Sequence, residues 1–443
     1  MARLFGTDGV RGVANADLSP DLALRLARAA AGVMAAGEAG RTAIVGRDPR
    51  PSGDLLEAAV CAGLAAAGLD VRRVGMAPTA AVAHLVRDAG AALGVMITAS
   101  HNPMPDNGIK FFDAGGYKPA DDLEDRIEAA LDAPVEGPTG AAVGRVTAAP
   151  DLLECYREHL LATVPAPLAG LHVVVDASNG AAVPVLDVYE RAGARVTAIN
   201  TRTDGVAIND NCGATHLDAV RATVRQHRAD VGIAHDGDAD RCLAVDAAGD
   251  DVDGDAILAV LALALHERGQ LPAATVAATV MSNLGMRRAL ADRGIAVAET
   301  AVGDRYVLER MRADGLGLGG EQSGHVLLLE HATTGDGILT ALALLSRMAA
   351  TGKPLADLAA VMVRLPQVLV NVRVRDRDQA MALISARAEA AGAELDGTGR
   401  VLVRPSGTEP VIRVMVEAET EERARAIADD VAAAIREEPG AAK

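Results

Sequence analysis

The chain has 443 residues, of which 50% are hydrophobic and only 2% aromatic, with no Trp. A chain of this length predicts about three domains, and their cores must be packed mainly from Ala, Val and Leu. The 43 basic and 60 acidic residues give a net charge of −17, which argues against nucleic acid or an anionic membrane as a partner.

The first part of the chain alternates predicted strands and helices. Ser19-Pro20 supplies a capping hydroxyl and a first-turn proline for a helix, and residues 42–46 are typical of a strand. A second helix is predicted from about Ser52 to Gly68, and the apolar run 92–97 is typical of a buried strand. This βαβ pattern indicates a sheet with parallel strands.

A serine follows that apolar run where the strand must end. Ser100 lies in the segment Thr98-Ala99-Ser100-His101-Asn102-Pro103-Met104, and the Asn-Pro pair prevents the strand from continuing. Ligands of open α/β sheets bind at the carboxyl ends of strands. Because an ordinary Ser/Asn turn is the commoner explanation of such a loop taken alone, its interpretation as a site depends on the rest of the chain.

Two more units of the same kind follow a linker predicted between Pro165 and Gly170. Residues 173–180 begin the second unit and residues 276–283 begin the third. Each begins with a strand that ends near a Ser-Asn pair, as the strand before Ser100 does. The pattern predicts a weak internal repeat.

Three carboxylates alternate in the loop after the apolar strand 230–234. These are Asp236, Asp238 and Asp240, and a chain tolerates like charges this close most easily around a hard cation such as Mg²⁺. An EF-hand calcium loop begins similarly, but Arg241 stands where that loop requires glycine. A solvated acidic turn is the alternative. Arg241 beside the carboxylates favours a phosphate held next to the ion.

The segment from Gly319 to His325 combines flexible backbone with several polar groups. Glu321, Gln322, Ser323 and His325 offer a carboxylate, an amide, a hydroxyl and an imidazole. This mixture is suited to sugar hydroxyls or to an amine.

The chain changes character near Pro366. The ranges 368–374, 401–403 and 412–416 are typical of strands, which indicates a smaller sheet-plus-helices domain. The segment Arg404-Pro405-Ser406-Gly407-Thr408-Glu409-Pro410, with Arg413 beyond it, combines two hydroxyls, backbone amides and two guanidinium groups. These groups suit a phosphate, and a structural turn is the alternative.

In this order, the segments resemble the α-D-phosphohexomutase superfamily over nearly the whole chain. The motifs that carry the resemblance are Phe5–Gly12, the Ser100 loop with Asp106–Phe112, the loop 236–241, Val302–Val307, the Glu321 loop, Thr334–Gly337 and the Arg404 loop. Gln322 and the segment 211–216 are similar to members that act on glucosamine phosphates, whereas phosphomannomutase-type members usually carry Met in place of Gln322. Ala239 is a departure, because many members have Gly there and a methyl group narrows the backbone freedom of the loop.

The resemblance implies three related α/β domains with mixed sheets and a smaller C-terminal α+β domain, arranged around a central cleft. The expected domains are 1–150 with the phosphoserine loop, 151–250 with the metal loop, 251–365 with the sugar-binding loop and 366–443 with the phosphate-binding loop.

The activity implied by the resemblance is reversible conversion of glucosamine 6-phosphate to glucosamine 1-phosphate, feeding UDP-N-acetylglucosamine and cell-wall precursor synthesis. It would proceed through phosphorylated Ser100 and a bound glucosamine 1,6-bisphosphate, with glucose 1,6-bisphosphate as the other candidate intermediate or activator. The expected catalytic residues are Ser100, Lys110 as proton-transfer partner, His101 and Arg11. The expected Mg²⁺ ligands are Ser100, Asp236, Asp238 and Asp240. The expected substrate-binding residues are Arg241, Glu321, Ser323, His325, Arg404, Ser406, Gly407, Thr408 and Arg413.

Alternatives remain at this stage. A sister mutase for mannose or glucose phosphates would use the same machinery, and Gln322 is the main argument against it. A metal-dependent phosphatase would not need the Arg404 loop for a second phosphate, and a non-catalytic phosphosugar-binding protein would have no use for Ser100 beside metal ligands. For Lys110, an exposed structural lysine is the alternative.

The sequence also predicts the setting of the protein. The four cysteines form no CxxC pair or zinc spacing, so reduced thiols in a cytoplasmic protein are expected. The apolar stretch 256–265 is too short to cross a bilayer and predicts a buried helix, and the first residues lack a signal-peptide core. We expect a phosphosugar partner, no nucleic acid and no membrane, and the resemblance allows a homodimer.

Overall fold

The structure, a computed structural model, describes residues 3–6, 8–35, 41–133, 137–405 and 410–437. The chain divides into two compact units. The first unit comprises residues 1–281 and 295–361, and the second comprises residues 282–294 and 362–443.

The first sheet of the first unit has six strands. They are β1 (Val10–Val13), β2 (Thr42–Arg47), β3 (Asp70–Met76), β4 (Leu93–Ile97), β5 (Asp106–Phe112) and β6 (Val146–Ala148), in the spatial order β1-β5-β4-β2-β3-β6. The helices are α1 (Pro20–Met34), α2 (Gly53–Ala66), α3 (Thr79–Asp88) and α4 (Asp121–Ala129). The predicted start of α1 is confirmed, because the Ser19 hydroxyl accepts a hydrogen bond from the Leu22 amide at 3.2 Å.

The second sheet has five strands in the order β11-β10-β9-β7-β8. They are β7 (His172–Asp176), β8 (Arg195–Ile199), β9 (Val231–Ala234), β10 (Leu243–Asp246) and β11 (Asp251–Val252). The accompanying helices are α5 (Leu153–Ala162), α6 (Asp187–Arg191) and α7 (Asp218–His227).

The third sheet has four strands in the order β13-β12-β14-β15. Along the chain, α8 (Gly254–Glu267), β12 (Thr275–Thr279), α9 (Leu284–Ala291), β13 (Ala296–Thr300), α10 (Asp304–Asp314), β14 (Leu318–Gly320), β15 (Val326–Leu328), α11 (Gly337–Thr351) and α12 (Leu355–Ala359) follow one another. The apolar stretch 256–265 lies in α8, most of whose residues are buried, as predicted.

The three sheets repeat one arrangement. In each, three parallel strands have the first strand in the middle, as β4-β2-β3, β9-β7-β8 and β14-β12-β13. An antiparallel strand, β5, β10 or β15, then pairs with the third parallel strand. This repeat confirms the prediction of three related α/β domains with mixed sheets.

The repeat corrects one detail of the sequence analysis. Ser178 and Ser282 follow β7 and β12, the first strands of their sheets, whereas Ser100 follows β4, a third strand. The Ser-Asn pairs therefore do not mark equivalent positions. The true equivalents of the Ser100 loop are the loops 235–242 and 321–325, since each joins a third parallel strand to its antiparallel neighbour.

Aliphatic side chains fill the cores, as the low aromatic content requires. In the first domain, Leu26 of α1 and Leu56 of α2 are fully buried in one cluster with Val45 and Val95 of the sheet. Burial of this kind is the main favourable term in folding. Among the helices of the described ranges, none combines the length and the apolar character needed to cross a bilayer.

The second unit contains an antiparallel sheet in the order β16-β18-β17. Its elements, besides α9, are β16 (Gln367–Arg373), α13 (Arg377–Ala393), β17 (Arg400–Pro405), β18 (Val411–Glu417) and α14 (Glu421–Glu437). Val414 of the sheet, Ile384 of α13 and Val431 of α14 share one buried cluster. The predicted smaller sheet-plus-helices domain is confirmed.

Candidate active site

Ser100 lies at the carboxyl end of a completely buried strand, β4. Its backbone is left-handed, with φ 51°, and the residue is 1% exposed. Its Oγ donates a hydrogen bond to Asp236 Oδ2 at 2.6 Å and lies 3.4 Å from His101 Nδ1. The structure therefore brings the predicted nucleophile against the predicted metal loop.

The three alternating carboxylates converge in the loop that follows β9. One oxygen each of Asp236, Asp238 and Asp240 lies within 4.8 Å of the other two, and all three residues are buried. Ala239 between them has φ 59°. The methyl group noted in the sequence is thus accommodated in a left-handed turn that strains an alanine.

Charge in this loop is unevenly compensated. Burial raises the pKa of Asp236 well above its usual range, and Asp240 and Asp238 raise it further. Burial would also raise the pKa of Asp238. The charge and hydrogen bond of Lys110, together with a hydrogen bond from Thr79, outweigh burial and hold that pKa below its usual range.

The donor set fits an oxygen-preferring cation. Oδ1 of Asp238 and Oδ1 of Asp240 are buried and, among the residues that the structure describes, have no hydrogen-bond partner. Buried polar atoms of this kind require an explanation, and a bound cation such as Mg²⁺ supplies one. The solvated acidic turn considered from the sequence is wrong, since the three residues are at most 3% exposed.

Lys110 lies on β5 and is 1% exposed. Its Nζ lies 2.8 Å from Asp238 Oδ2, 2.8 Å from Asp8 Oδ2 and 3.4 Å from Asp240 Oδ2. Burial lowers the pKa of Lys110, but the three carboxylates together raise it well above its usual range. The alternative of an exposed structural lysine is wrong, and the side chain is an ammonium group within the carboxylate cluster.

Three further predicted residues surround the cluster. Arg11 on β1 is hydrogen-bonded to Asp8. Burial lowers the pKa of His101 to about 4, with added repulsion from Arg241 and Arg11, so its imidazole is neutral near pH 7. Arg241 Nε lies 3.9 Å from an oxygen of Asp236 and from one of Asp240. Arg241 thus lies beside the carboxylates, and its binding of a phosphate there stays a prediction.

The Glu321 loop joins the metal loop through backbone contacts. His325 forms a β-bridge with Arg241, and the Cys242 amide donates to the Gly324 carbonyl at 3.0 Å. The His325 ring is buried, with Nε2 3.8 Å from Asp240 Oδ2 and 3.4 Å from Asp304 Oδ2. The predicted sugar and metal loops therefore meet in one place.

Two other residues of that loop interact with each other. Glu321 accepts a hydrogen bond from the Gly303 amide at 3.0 Å, and Ser323 Oγ lies 3.5 Å from the second Glu321 oxygen. Both side chains are partly exposed. A polar ligand can reach them, and their assignment to the sugar ring stays a prediction.

Sequence reasoning missed a buried ion-pair chain beside the cluster. Lys118 Nζ lies 2.6 Å from Asp8 Oδ1 and also contacts Asp304. Asp8 and Asp304 belong to recognised motifs but received no role, and nothing in the local sequence distinguishes Lys118. Its partners lie 110 and 186 residues away along the chain, so only the fold reveals the contact.

In the second unit, Arg404 and Arg413 face each other across the β17–β18 pair. Burial lowers the pKa of the Arg404 guanidinium, and the charge of Arg413 lowers it further. Like charges opposite each other in a sheet are unfavourable, and an anion would relieve the repulsion. Ser406, Gly407 and Thr408, which were predicted to bind the same phosphate, lie outside the described residues.

Four family models match the chain in succession. They are those of the phosphoglucomutase/phosphomannomutase alpha/beta/alpha domain I (residues 2–136), domain II (154–249), domain III (253–365) and C-terminal domain (369–434).

Similar proteins extend over nearly the whole length. The chain is 59% identical to a phosphoglucosamine mutase of Saccharopolyspora erythraea, over 98% of this chain and 100% of that protein. It is 60% identical to a phosphoglucosamine mutase of Frankia casuarinae, over 98% of each. A crystal structure of a phosphoglucomutase/phosphomannomutase family protein from Burkholderia thailandensis superimposes with a TM-score of 0.86, at 27% identity and covering 99% of this chain and 98% of that one. The chain belongs to the phosphoglucosamine mutase family, within the phosphoglucomutase/phosphomannomutase superfamily of α-D-phosphohexomutases.

Proposed function

We propose that the protein is an isomerase that converts glucosamine 6-phosphate to glucosamine 1-phosphate reversibly, through phosphorylated Ser100 and a bound 1,6-bisphosphate. The single observation that carries the proposal is the 2.6 Å contact between the buried Ser100 Oγ and Asp236, because it joins a serine hydroxyl to a cluster of carboxylates. Relatives at 59% and 60% identity support the choice of sugar. The product would feed UDP-N-acetylglucosamine and cell-wall precursor synthesis.

The reaction has two phosphoryl transfers that balance. In the first, the 1-hydroxyl oxygen of glucosamine 6-phosphate bonds to the phosphorus on Ser100 while the Oγ–P bond breaks. The sugar hydroxyl loses a proton and the serine oxygen gains one. The bisphosphate then turns around. In the second transfer, Ser100 Oγ loses its proton and bonds to the 6-phosphorus while the O6–P bond breaks. The 6-oxygen gains a proton, and glucosamine 1-phosphate leaves.

The residues of this chain align the transfer and handle its protons. Lys110 is charged, so it begins as a proton donor and suits the oxygen that leaves phosphorus. His101 and Arg11 support it from beside the cluster. We assign Glu321 and Ser323 to the sugar ring, His325 to the same pocket as a further acid/base group, and Arg241 to a phosphate oxygen.

Asp236, Asp238 and Asp240, with an oxygen of the Ser100 phosphoryl group, would hold Mg²⁺. Such an ion supplies neutralisation of charge on the transferred phosphoryl group. We assign the non-reacting phosphate to Arg404 and Arg413, together with Ser406, Gly407 and Thr408. A cytoplasmic location and a homodimer belong to the same proposal.

The test is an assay of purified protein with glucosamine 6-phosphate, Mg²⁺ and a trace of 1,6-bisphosphate. We expect glucosamine 1-phosphate to form without stoichiometric inorganic phosphate, and kcat/KM to be higher than with glucose or mannose 6-phosphate. Release of inorganic phosphate would indicate a phosphatase, and a higher kcat/KM with mannose or glucose phosphate would indicate a sister mutase.

Ser100→Ala provides the matching variant. It should lose the phosphate seen by intact mass and reduce kcat by several orders of magnitude, because the nucleophile is gone. Ser282→Ala is the control, since it removes the hydroxyl of another buried serine in a segment that follows a parallel strand. Wild-type turnover by Ser100→Ala would contradict the covalent mechanism.

A further inference from the structure

Two side chains from different domains of the first unit meet at the backbone of the Ser100 loop. Arg50 follows β2 of the first sheet, and Asn209 lies in the loop between β8 and α7 of the second. Both donate hydrogen bonds to the same two carbonyl oxygens, those of Ser100 and Asn102. We call this arrangement the carbonyl clamp.

The distances make the clamp specific. Arg50 Nη2 donates to the Ser100 carbonyl at 3.0 Å and to the Asn102 carbonyl at 2.7 Å. Asn209 Nδ2 donates to the same carbonyls at 2.9 Å and 3.0 Å. Arg50 also donates to the Asp106 carbonyl at 2.9 Å. Its guanidinium is fully buried, and most of its hydrogen bonds go to backbone carbonyls of the Ser100 loop.

Each donor is itself held in place. Asp48 accepts a hydrogen bond from Arg50 Nε at 2.9 Å and one from the Thr98 hydroxyl at 2.7 Å. The Thr98 oxygen accepts from the Ser100 amide at 2.9 Å, which closes a ring around the serine backbone. Asn209 Oδ1 faces the Ser178 hydroxyl at 2.9 Å, and carbonyl oxygens can only accept. The orientation of the Asn209 amide is therefore fixed, with its NH₂ group toward the clamp.

The clamp explains how a serine holds a left-handed backbone. Ser100 has φ 51°, a conformation that costs an L-residue of this kind free energy unless its surroundings impose it. The metal loop packs on the same carbonyl, because a Cβ atom on Gly237 would lie 2.5 Å from the Ser100 oxygen. The backbone that aims Oγ at Asp236 is therefore supported from both domains.

We propose that Arg50 and Asn209 are positioning residues that aim Ser100 Oγ at the metal loop. This inference rests on the proposed function, in which Oγ must give up and recover a phosphoryl group from the same place. A displacement of about 1 Å in a reacting group can cost about a hundredfold in rate. The hydrogen bonds of the clamp run to backbone carbonyl oxygens and not to the carboxylates of the metal loop, so the two residues act on Ser100 through the backbone.

Asn209→Ala tests the inference, with Asn179→Ala as the matched control. Asn179 is a buried asparagine that contacts the loop between β8 and α7, which contains Asn209. Its Nδ2 donates to the Ala207 carbonyl in that loop at 3.0 Å. Its Oδ1 accepts from the Arg202 amide at 2.9 Å, and neither bond involves the Ser100 loop. Each change thus removes a buried amide that belongs to the loop between β8 and α7 or bonds to it, but only Asn209→Ala removes clamp donors.

The first readout is amide hydrogen exchange in peptides covering residues 98–106. We expect faster exchange there in Asn209→Ala and wild-type exchange in Asn179→Ala. This measurement needs no substrate, so it remains informative if the proposed activity is wrong. Equal exchange in the two variants would overturn the clamp.

The second readout is the split between kcat and KM. Loss of two hydrogen bonds should lower kcat by about tenfold to a hundredfold with little change in KM, and should slow phosphorylation of Ser100 by 1,6-bisphosphate to the same extent. A change in KM with kcat unchanged would overturn the positioning role. An equal loss of kcat in Asn179→Ala would overturn it as well. Arg50→Lys keeps the charge but cannot reproduce the fork of donors, so it should behave like Asn209→Ala; if it fails to fold, the Asn209 comparison decides.

Discussion

At the residue scale, the candidate site is nearly balanced in charge before any ligand arrives. Five carboxylates meet four cations, namely Asp8, Asp236, Asp238, Asp240 and Asp304 with Arg11, Lys110, Lys118 and Arg241. A phosphoserine adds about −1.5 to −2 charges and a divalent cation offsets them. The site should therefore accept the two together better than either alone, so under the proposed function we expect metal binding and phosphorylation of Ser100 to be linked.

We predict that Asp238→Asn weakens Mg²⁺ binding by tenfold or more and slows turnover with it. The change removes one carboxylate from the set and also the charge that pairs with Lys110. Changes around metal sites commonly cost about 10–100-fold in affinity. Isothermal titration calorimetry with Mg²⁺, in parallel with the mutase assay, gives both quantities.

The matched control for the metal prediction is Asp210→Asn, which makes the same charge change at an exposed position. It should leave both Mg²⁺ affinity and turnover at wild-type values. Excess chelator should abolish turnover of the parent protein, and added Mg²⁺ should restore it. Undiminished activity in chelator would remove the ion from the mechanism.

At the element scale, strands and their terminal loops were predictable because periodicity and turn residues are local signals. β4, β7, β9 and β12 lie where apolar runs placed them, and the loops after β4 and β9 carry Ser100 and Asp236 as expected. Contacts between remote segments were not predictable. Asn209 meets the Ser100 carbonyl across 109 residues, and Arg50 meets it across 50, and no spacing rule relates them.

Helix ends give a stability prediction that needs no ligand. The residue after α7 is Arg228, which is exposed and has φ 48°, whereas the residue after α11 is Gly352, with φ 66°. A left-handed conformation costs a non-glycine residue about 1–2 kcal/mol, and glycine avoids this cost. Glycine also gives the unfolded chain more conformational entropy, which lowers the free energy of unfolding by about 0.4–1 kcal/mol and offsets part of the gain. Arg228→Gly should therefore raise stability, and Gly352→Ala should lower it, by about 0.5–1 kcal/mol each.

The midpoint of thermal unfolding should move in opposite directions for these two variants. Steric interference does not complicate Gly352→Ala, because a Cβ atom there would have no neighbour within 4 Å. A lower midpoint for Arg228→Gly would show that the arginine side chain contributes more than its backbone strain costs.

A histidine pair between α3 and α5 predicts a pH effect on stability. His84 and His159 stack with ring centroids 4.2 Å apart. Burial, together with a smaller contribution from the charge of His159, lowers the pKa of His84 from 6.5 to about 4. The unfolded chain therefore binds more protons than the folded one between these values, so this contribution is complete above pH 6.5 and is lost as the pH falls toward 4.

His84→Phe should reduce that loss, because it keeps a ring in the stack and cannot be protonated. We expect the unfolding midpoint of the parent to fall more steeply than that of the variant between pH 7 and pH 5. The variant must be compared with the parent, because another buried group changes stability in the opposite direction over this pH range. Burial raises the pKa of Asp336, which lines the same cavity as His84, to about 6, so its contribution to stability grows as the pH falls. Parallel curves for the two proteins would contradict the prediction.

At the scale of the whole molecule, one repeated topology supplies three different chemical groups. The equivalent loops after β4, β9 and β14 carry Ser100, the three aspartates and Glu321 with His325. Because each loop joins a third parallel strand to its antiparallel neighbour, repetition of the fold brings corresponding edges to one site. Divergence of the loops then distributes the proposed nucleophile, the proposed metal ligands and the proposed sugar contacts among the domains.

A mutase differs from a phosphatase in that it retains the bisphosphate while this intermediate turns around, and the C-terminal domain allows a test of that retention. If Arg404 helps to hold the non-reacting phosphate, Arg404→Ala should leave Ser100 able to carry phosphate but let the intermediate escape. Loss of a charged hydrogen bond costs about 1.5–3 kcal/mol, or about tenfold to a hundredfold in affinity. Turnover should decay as Ser100 is left unphosphorylated, and added 1,6-bisphosphate should restore it.

The measurement is free bisphosphate per turnover. The control is Arg373→Ala, at an exposed position of β16 in the same sheet. Equal escape from both variants with an unchanged KM would show that the Arg404 loop is a structural turn and that other residues hold the second phosphate.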